Sequence, residues 1–522
     1  MGIKARKVAV IGAGISGVSA AAHLLKQGLE TVVFERSNIP GGVWHYDERS
    51  ALESAFPNTR PSVGDYKTRP AVHYSTPPPE YQDDKDLEIA HAPPGPSYAG
   101  LRNNVSTRLM KTSLQNWPEG TEDYVTQKVL EEYIQAFSKD HGVTAITQYH
   151  TRVEEVRKQG DEWILRTTTL QKSSAGAHLV EKHWIFDAVV VASGHYNTPN
   201  VPDWPGIAEW KAARPSQVWH SKGYRKPHQF QDKNILIIGA SVSANDIAKE
   251  AGPYANKIWQ STRNGELDLP ALLLPPNATR VVEVKSFDLD KEHAISSTDP
   301  RTPIPGTVTL VDGQKLENLD AIVVATGYIT SYPFLPNLHN DDLPASEADD
   351  NVLVTAKGDM AHNLHKDIFY IPDPTLSFIG APYHIATFSL FEFQAQAVAR
   401  VLAGKTTLPT EQEMRAEYKE KVAKKGLGRD FHSLRGEKQE ENYVSELVNW
   451  VNQDAERRGS DDKMIGHTDA WRQAKADQLE QFKWLRSRTA PNNGEPQPES
   501  VRKLISVFTD VAAIKLVTET RA

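Results

Sequence analysis

The stretch Ile235–Glu250, ILIIGASVSANDIAKE, decides the fold. ILII reads as a strand apolar on both faces, as in a buried parallel sheet. GAS is a turn of small residues, and VSANDIAKE follows with apolar positions at helical spacing. The chain has already made this unit once, as VAVIGAGISGVSAAAHLL from Val8 to Leu25.

A second echo brackets the first. FDAVVVASGHY (Phe186–Tyr196) is matched by LDAIVVATGY (Leu319–Tyr328), each an apolar β-branched run ending in a small–small–Gly turn. Each closes a segment that a strand–loop–helix unit opened. Before the first echo, EWILRTTTL and HLVEKHWIF alternate like a hairpin meander, and before the second TVTLVDGQKL carries a DG turn. The proline-punctuated YNTPNVPDWPG crosses between the units. The expected division is about 1–197, 203–330 and 331–522. In the last part LSFIGAPYHIATFSLFEFQAQAVARVLAG reads as a strand, a polar loop and a long helix returning to the first unit. A charged helical layer follows, with Trp450, Trp471 and Trp484 as packing anchors.

Composition sets outer limits. The 522 residues suffice for about two to four domains of roughly 150 residues. Charged residues at 24 % and hydrophobic residues at 39 % are ordinary for a soluble globular chain. A formal net charge of −8 spread along the chain offers no footprint for nucleic acid or an anionic membrane. Without cysteine there are no disulfides, thiolate catalysis or Cys-ligated metal centres, and no metal site is expected. MGIKARKVAVIGAG runs into a strand without a signal-peptide core, and Arg6 stands where myristoylation needs Ser or Thr. LISVFTDVAAIKLVTETRA, with Asp510 and Lys515, is too polar to span a bilayer. A cytoplasmic protein is the expectation, and a homodimer is allowed for.

The loops point to phosphates. In GAGISG, Gly12 permits the tight turn, Gly14 lets the backbone approach a pyrophosphate and Gly17 lets helix pack on strand. The helix N-terminus, with Ser16 in its first turn, faces the phosphates. Glu35, 18 residues past Gly17, ends TVVFER and can bind both hydroxyls of an unphosphorylated ribose; Arg36 follows it. In the second loop Gly239, Ser241 and Ala244 stand where the three glycines would, with Ser243 between. Downstream KIWQSTRNG offers Ser261, Thr262 and Arg263 in place of a carboxylate. A carboxylate repels a 2′-phosphate, whereas a guanidinium with hydroxyl neighbours attracts it. The expectation is therefore FAD in the first unit and NADPH in the second; the plainer alternative for Arg263 is a solvated surface charge. The fold class is α/β: two Rossmann-like dinucleotide-binding domains, the NADPH domain inserted into the FAD domain, plus a helical C-terminal layer.

With these pieces placed, most of the chain resembles the flavin-containing monooxygenases. PGGVWHY is similar to the family's GG-x-W stretch and brings Gly42, Val43 and Trp44 to the flavin, although Trp44 also suits core packing. YAGLRNNVSTRLMKTSLQNWP resembles Y-x-x-L-x-T-N-x-P-K-x-x-M, with Asn103 for the Thr and Ser106 for the Pro. The match puts Asn104 beside the flavin where oxygen is activated; its alternative is a loop-capping Asn. The fingerprint F-x-G-x-x-x-H-x-x-x-[YF] is half met by RPSQVWHSKGY: His220 and Tyr224 agree, Arg214 and Ser216 do not. VVATGY matches the second linker, bringing Thr326 to FAD and Ala325 and Gly327 to NADPH, while Ser193 replaces the usual Thr of the first. Val153 is a further FAD contact implied by the resemblance. GASVSANDIA looks like fungal members.

The resemblance implies an NADPH- and O2-dependent monooxygenase. A C4a-(hydro)peroxyflavin would give one oxygen atom to a soft nucleophile on a small molecule, by N- or S-oxygenation or N-hydroxylation in fungal secondary metabolism. The hard chemistry belongs to the cofactor, so the chain must position rings and exclude water. Asn104 is the one residue assigned a catalytic role, since a neutral amide can hydrogen-bond the cofactors without supplying acid. His220 reads as a structural or hinge histidine and His384 as a satisfied loop histidine. The chief alternative is a Baeyer–Villiger monooxygenase acting on a ketone; those enzymes usually carry Trp four residues after the fingerprint His, where this chain has Tyr224. A lysine/ornithine N-hydroxylase fits the linkers less well. An NADPH oxidase or reductase without oxygen transfer and a non-catalytic NADPH-sensing module complete the alternatives, and a flavin disulfide reductase is removed by the lack of cysteine.

Overall fold

The computed structural model describes residues 2–50, 55–66, 84–174, 176–296, 299 and 301–486. Each apolar run of the duplicated unit becomes an inner strand of its own sheet. In the first sheet Lys7–Ile11 lies parallel between Glu30–Phe34 and Ala188–Val191. Thr147–Gln148 extends it on one side and Leu376–Phe378 on the other. Phe369–Tyr370 and Leu364–His365 join antiparallel to complete seven strands. In the second sheet Asn234–Ile238 lies between Lys257–Ser261 and Ala321–Val324, with Ala278–Val281 and Val218–His220 outside, all five parallel. A parallel sheet needs both faces covered. Hence Val8, Ala9, Val10, Ile235, Leu236 and Ile237 are all fully buried.

The duplication extends to single hydrogen bonds. Asp187 accepts the N–H of Lys7 at 2.8 Å, and Asp320 accepts that of Asn234 at 2.8 Å. The Gly12 N–H donates to the Phe34 carbonyl, and the Gly239 N–H to the Ser261 carbonyl. The Ala192 N–H donates to Ile11 and the Ala325 N–H to Ile238. The two crossings are themselves paired: Thr198–Pro199 runs antiparallel to Tyr328–Ile329, the Asn200 N–H donates to the Gly327 carbonyl at 2.8 Å, and the Thr326 hydroxyl donates to the Asn200 carbonyl.

The expected meander is an antiparallel sheet of Thr151–Gln159, Glu162–Ser173 and Gly176–Phe186. The DG turn joins Gly306–Leu310 to Lys315–Leu316, with Val284–Leu289 on the other side. After Leu376–Phe378 the helix Thr387–Leu402 packs on the helix Ile15–Lys26 that the first loop opens. Helices Glu411–Lys425, Gln439–Arg457 and Asp469–Arg486 follow. Trp450 packs on the first core, and Trp471 stacks on His467 at 3.5 Å while donating to the Leu109 carbonyl. The Trp484 side chain and the C-terminal stretch 504–522 lie outside the described residues. Among the described residues no helix is long and apolar enough to cross a membrane, and no group of His, Asp and Glu could hold a metal.

Candidate active site

The first loop is shaped by contacts that exclude side chains. Gly12 has φ +103°, and a Cβ there would lie 2.7 Å from the Ala192 carbonyl oxygen; one on Gly17 would lie 1.9 Å from that of Gly12. PGG folds onto the same loop: the Gly41 N–H donates to Ala13 at 3.1 Å, and a Cβ on Gly42 would stand 2.8 Å from Gly14 Cα. The helix Ile15–Lys26 starts at Gly14 with no side-chain cap and no acidic residue in its first turn. Its first N–H groups therefore suit a diphosphate. Glu35 is 9 % exposed; Oε2 accepts the Ala13 N–H at 2.7 Å and Oε1 the Ser37 N–H at 2.8 Å. Each carboxylate oxygen keeps a lone pair for a ribose hydroxyl. These features fit FAD.

Other residues expected at the flavin have additional work. Arg36 donates to Asp65 at 2.8 Å and to the Asn197 side chain at 3.1 Å, tying the first ribose strand to the crossing. Val153 is buried in the second core, and its carbonyl accepts the Tyr66 hydroxyl. Ser16 is buried, while Val43 and Trp44 are half-buried in the 3-10 turn Gly42–Trp44, with Trp44 against the first core.

The second loop repeats the first with fewer glycines. Gly239 has φ +126°, and a Cβ would lie 2.4 Å from the Ala325 carbonyl oxygen. Ser241 begins the helix Val242–Ala251, again with no side-chain cap and no acid in the first turn. Ser243 is exposed there, and Ala244 is buried against the second unit's core. The Leu269 N–H donates to the Ala240 carbonyl at 2.8 Å, folding the segment after Arg263 back onto the loop. Arg263 is exposed and makes no hydrogen bond or ion pair among the described residues. These features fit NADPH.

Two sequence expectations change here. The Ser261 hydroxyl donates to the Val282 carbonyl at 2.9 Å, and the Thr262 hydroxyl donates to Asp268 and accepts the Asn264 N–H. Both hydroxyl hydrogens are thus committed to building the turn, which leaves Arg263 as its outward-facing donor. Sequence reasoning also missed Arg280. It sits on the neighbouring strand opposite Gln260, donates to the Leu269 carbonyl at 2.9 Å, and keeps a buried Nε without a partner among the described residues. The only sequence signal was a cation in a short β-branched run after a proline turn, TRVVEV.

In the segment expected beside the flavin, the two asparagines differ in their contacts. Asn103 is 1 % exposed; its amide donates to the carbonyls of Val105 and Asp123, and its oxygen accepts the Val125 N–H at 2.6 Å. Asn103, not Asn104, is therefore the loop-capping residue. Asn104 is half-buried, and its amide has no hydrogen-bond partner among the described residues; its carbonyl accepts from Gln478 of the last helix at 3.2 Å. His220 ends its strand edge-on to Tyr328, accepts the Lys222 N–H at Nδ1, and is held neutral by burial and by Lys222, which push it down to about 3. His384 has φ +62° and is held by the Ser433 hydroxyl at 2.8 Å.

Residues 95–271 and 305–456 match the model of the flavin-binding monooxygenase-like family, and residues 10–67 match that of an NAD(P)-binding Rossmann-like domain. The chain belongs to the flavin-binding monooxygenase-like family. It is a flavin-dependent monooxygenase that uses FAD and NADPH and acts with O2 on a small molecule. It is 44 % identical over 469 residues to the flavin-containing monooxygenase ustF2 of Aspergillus flavus, covering 85 % of this chain and 92 % of that one. Identity with ustF1 of the same organism is 36 % over 513 residues, covering 98 % of each. Among solved structures, S-allyl-L-cysteine S-oxygenase of Allium sativum superposes with a TM-score of 0.65 at 25 % identity, covering 97 % of this chain and 99 % of that one.

Proposed function

We propose that this monooxygenase transfers one oxygen atom to a soft nucleophile, the nitrogen of an amine or the sulfur of a sulfide. The balance is substrate + O2 + NADPH + H⁺ giving oxygenated substrate + H2O + NADP⁺. FAD, when bound, supplies the redox chemistry that lets dioxygen act as an electrophilic oxygen donor. The protein's part is to bind, orient and keep water away.

The observation that carries this reading is the Asn104 amide, which has no hydrogen-bond partner among the described residues and sits on a loop that Asn103 caps. A neutral amide donates and accepts hydrogen bonds at the reacting centre without lending a proton. In the proposed arrangement residues 1–197 and 331–522 hold FAD, through the first helix N-terminus and Glu35. Residues 203–330 hold NADPH, through Gly239, Ser241 and the helix they open, with Arg263 on the 2′-phosphate and Arg280 behind it. Ala325, Thr326 and Gly327 join the two seats.

The substrate class inferred is an amino-acid-derived amine or sulfide of fungal secondary metabolism. Relatives from Aspergillus flavus and Amanita muscaria support the setting, and the S-allyl-L-cysteine S-oxygenase supports sulfur as one acceptor. Tyr224, buried and bonded to Glu250, occupies the place where a ketone-oxidising relative would carry Trp.

The test is a panel of amines, sulfides and ketones offered to the FAD-loaded enzyme with NADPH under ¹⁸O2, with products read by mass spectrometry. One ¹⁸O on nitrogen or sulfur is the expected result. Esters from ketones would install the Baeyer–Villiger alternative, and hydrogen peroxide with no labelled product would install the oxidase alternative.

A further inference from the structure

The helix Val242–Ala251 has a second job that neither glycine loop accounts for. On one flank it carries Asp246 and Glu250, one turn apart, and each accepts a tyrosine hydroxyl: Tyr98 donates to Asp246 and Tyr224 to Glu250. The tyrosine rings meet at 5.3 Å. Tyr98 is 7 % exposed, Tyr224 0 % and Glu250 2 %. Tyr98 belongs to the segment that leads into Asn104, and Tyr224 closes the half-met fingerprint.

The contact is closed on the other side by Gly100. A Cβ there would lie 2.0 Å from Glu250 Oε1 and 3.0 Å from its carboxyl carbon, so the main chain lies directly on the acid. The Ala99 N–H donates to the Arg225 carbonyl at 3.0 Å, next to Tyr224. Tyr98 packs in the same apolar cluster as Ile235, Ile237, Ala244 and Ile247, with Leu101 against its edge. The chain leaves this contact at Leu101, whose carbonyl accepts the Gln127 N–H at 2.8 Å, and reaches Asn104 three residues later. Burial pushes both carboxyl groups up, Glu250 to about 7. A buried carboxyl is tolerated when a hydroxyl donates to it.

One helix therefore touches both parts of the proposed reaction. Its N-terminus, after Gly239 and Ser241, presents N–H groups for the nicotinamide dinucleotide. Its flank grips the segment that presents Asn104. We infer that Tyr224–Glu250 and Tyr98–Asp246 form a latch that fixes the Asn104 loop relative to the bound nicotinamide dinucleotide, with Glu250 as a positioning residue acting through Gly100. This inference rests on the role given to Asn104 above. The latch sets geometry and transfers no proton. Its loss leaves hydride delivery to FAD in place and lets the reduced enzyme spend NADPH and O2 on hydrogen peroxide.

The test compares wild type with Y224F, E250A and E250Q, each as FAD-loaded full-length protein. Readouts are amide hydrogen exchange across residues 98–104, KM for NADPH, and the peroxide share of NADPH turnover. Y224F and E250A are expected to exchange the Ala99, Leu101 and Asn103 amides at least tenfold faster. They should also raise the peroxide share at least threefold, with KM for NADPH within twofold of wild type. E250Q, which keeps an acceptor for Tyr224, should recover both. Faster exchange with an unchanged peroxide share would reduce the contact to a structural one and overturn the inference, as would unchanged exchange in folded Y224F. If E250A does not fold, Y224F decides. If wild type yields no oxygenated product with any substrate, the proposed function fails and the inference resting on it falls too, whereas a productive wild type with unchanged exchange in Y224F overturns the latch alone.

Discussion

The Glu35 carboxylate receives the Ala13 N–H at 2.7 Å, from the middle of the first glycine loop. The residue that would grip a ribose is thereby fixed to the turn that would grip the phosphates. E35A is expected to weaken FAD binding by about 1.5–3 kcal/mol, the range for losing hydrogen bonds to a charged group. At 1.4 kcal/mol per decade that is roughly 10- to 150-fold in Kd. Titrating apoprotein with FAD and following flavin fluorescence measures it, and an unchanged Kd would remove Glu35 from the site.

Arg263 and NADPH offer the cleanest chemical contrast. R263A should raise KM for NADPH far more than for NADH, by about 1.5–3 kcal/mol, because only NADPH carries the 2′-phosphate. R280A should shift the same ratio in the same direction by less, since Arg280 is already committed to the Leu269 carbonyl. Equal losses with both nucleotides would contradict the assignment.

Gly239 and Gly28 separate steric conflict from backbone strain. Both have positive φ, but a Cβ on Gly28 meets nothing within 4 Å, whereas on Gly239 it meets the Ala325 carbonyl at 2.4 Å. G28A is expected to cost about 1 kcal/mol from strain alone, and G239A about 2–4 kcal/mol. Calorimetric Tm values rank them; equal losses would mean the second loop relaxes.

For Asn104, N104A is expected to cut oxygenated product on the order of 10²-fold, the scale for removing one preorganised hydrogen-bonding group from a reacting centre. NADPH consumption should persist and appear as peroxide. Product and peroxide measured in one reaction check it, and a parallel loss of NADPH consumption would place the residue elsewhere.

Acid should unfold this protein through its histidines. Burial pushes His91, His220, His365 and His467 down to about 3, and His195 and His362 to about 4. Their folded values lie below the unfolded value of about 6.5, so the unfolded chain takes up protons that the folded chain refuses. The stability they contribute is complete above about pH 6.5 and is lost as pH falls toward 4. Tm is expected to be flat from pH 8 to 7 and to drop steadily below 6.5. A Tm that rises on acidification would contradict this.

Much of the fold around the candidate site was legible because it is local. A strand buried on both faces, a turn of small residues and a helix are neighbours in sequence, so Val8–Leu25 and Ile235–Glu250 declare themselves. The echo declares itself for a further reason: Asp187 and Asp320 cap the first strands of equivalent sheets. What stayed hidden depends on partners far along the chain. Nothing near Ser261 or Thr262 announces that Val282 and Asp268 will take their hydroxyls. Nothing near Gly100 announces Glu250, 150 residues away, as its ceiling. Asn103 and Asn104 are chemically alike in sequence, and the carbonyls of Val105 and Asp123 and the N–H of Val125 tell them apart.

The crossings Thr198–Pro199 and Tyr328–Ile329 are sewn to each other rather than strung side by side. A single-stranded tether can swivel about any bond, whereas a hydrogen-bonded ribbon resists shear and bends chiefly out of its own plane. Shear between the two sheets is resisted near Pro199 and Tyr328, as it is where Tyr98 meets Asp246 and Gly100 meets Glu250. Because the Gly327 carbonyl holds the Asn200 N–H inside that ribbon, neither crossing can shift along its length without the other.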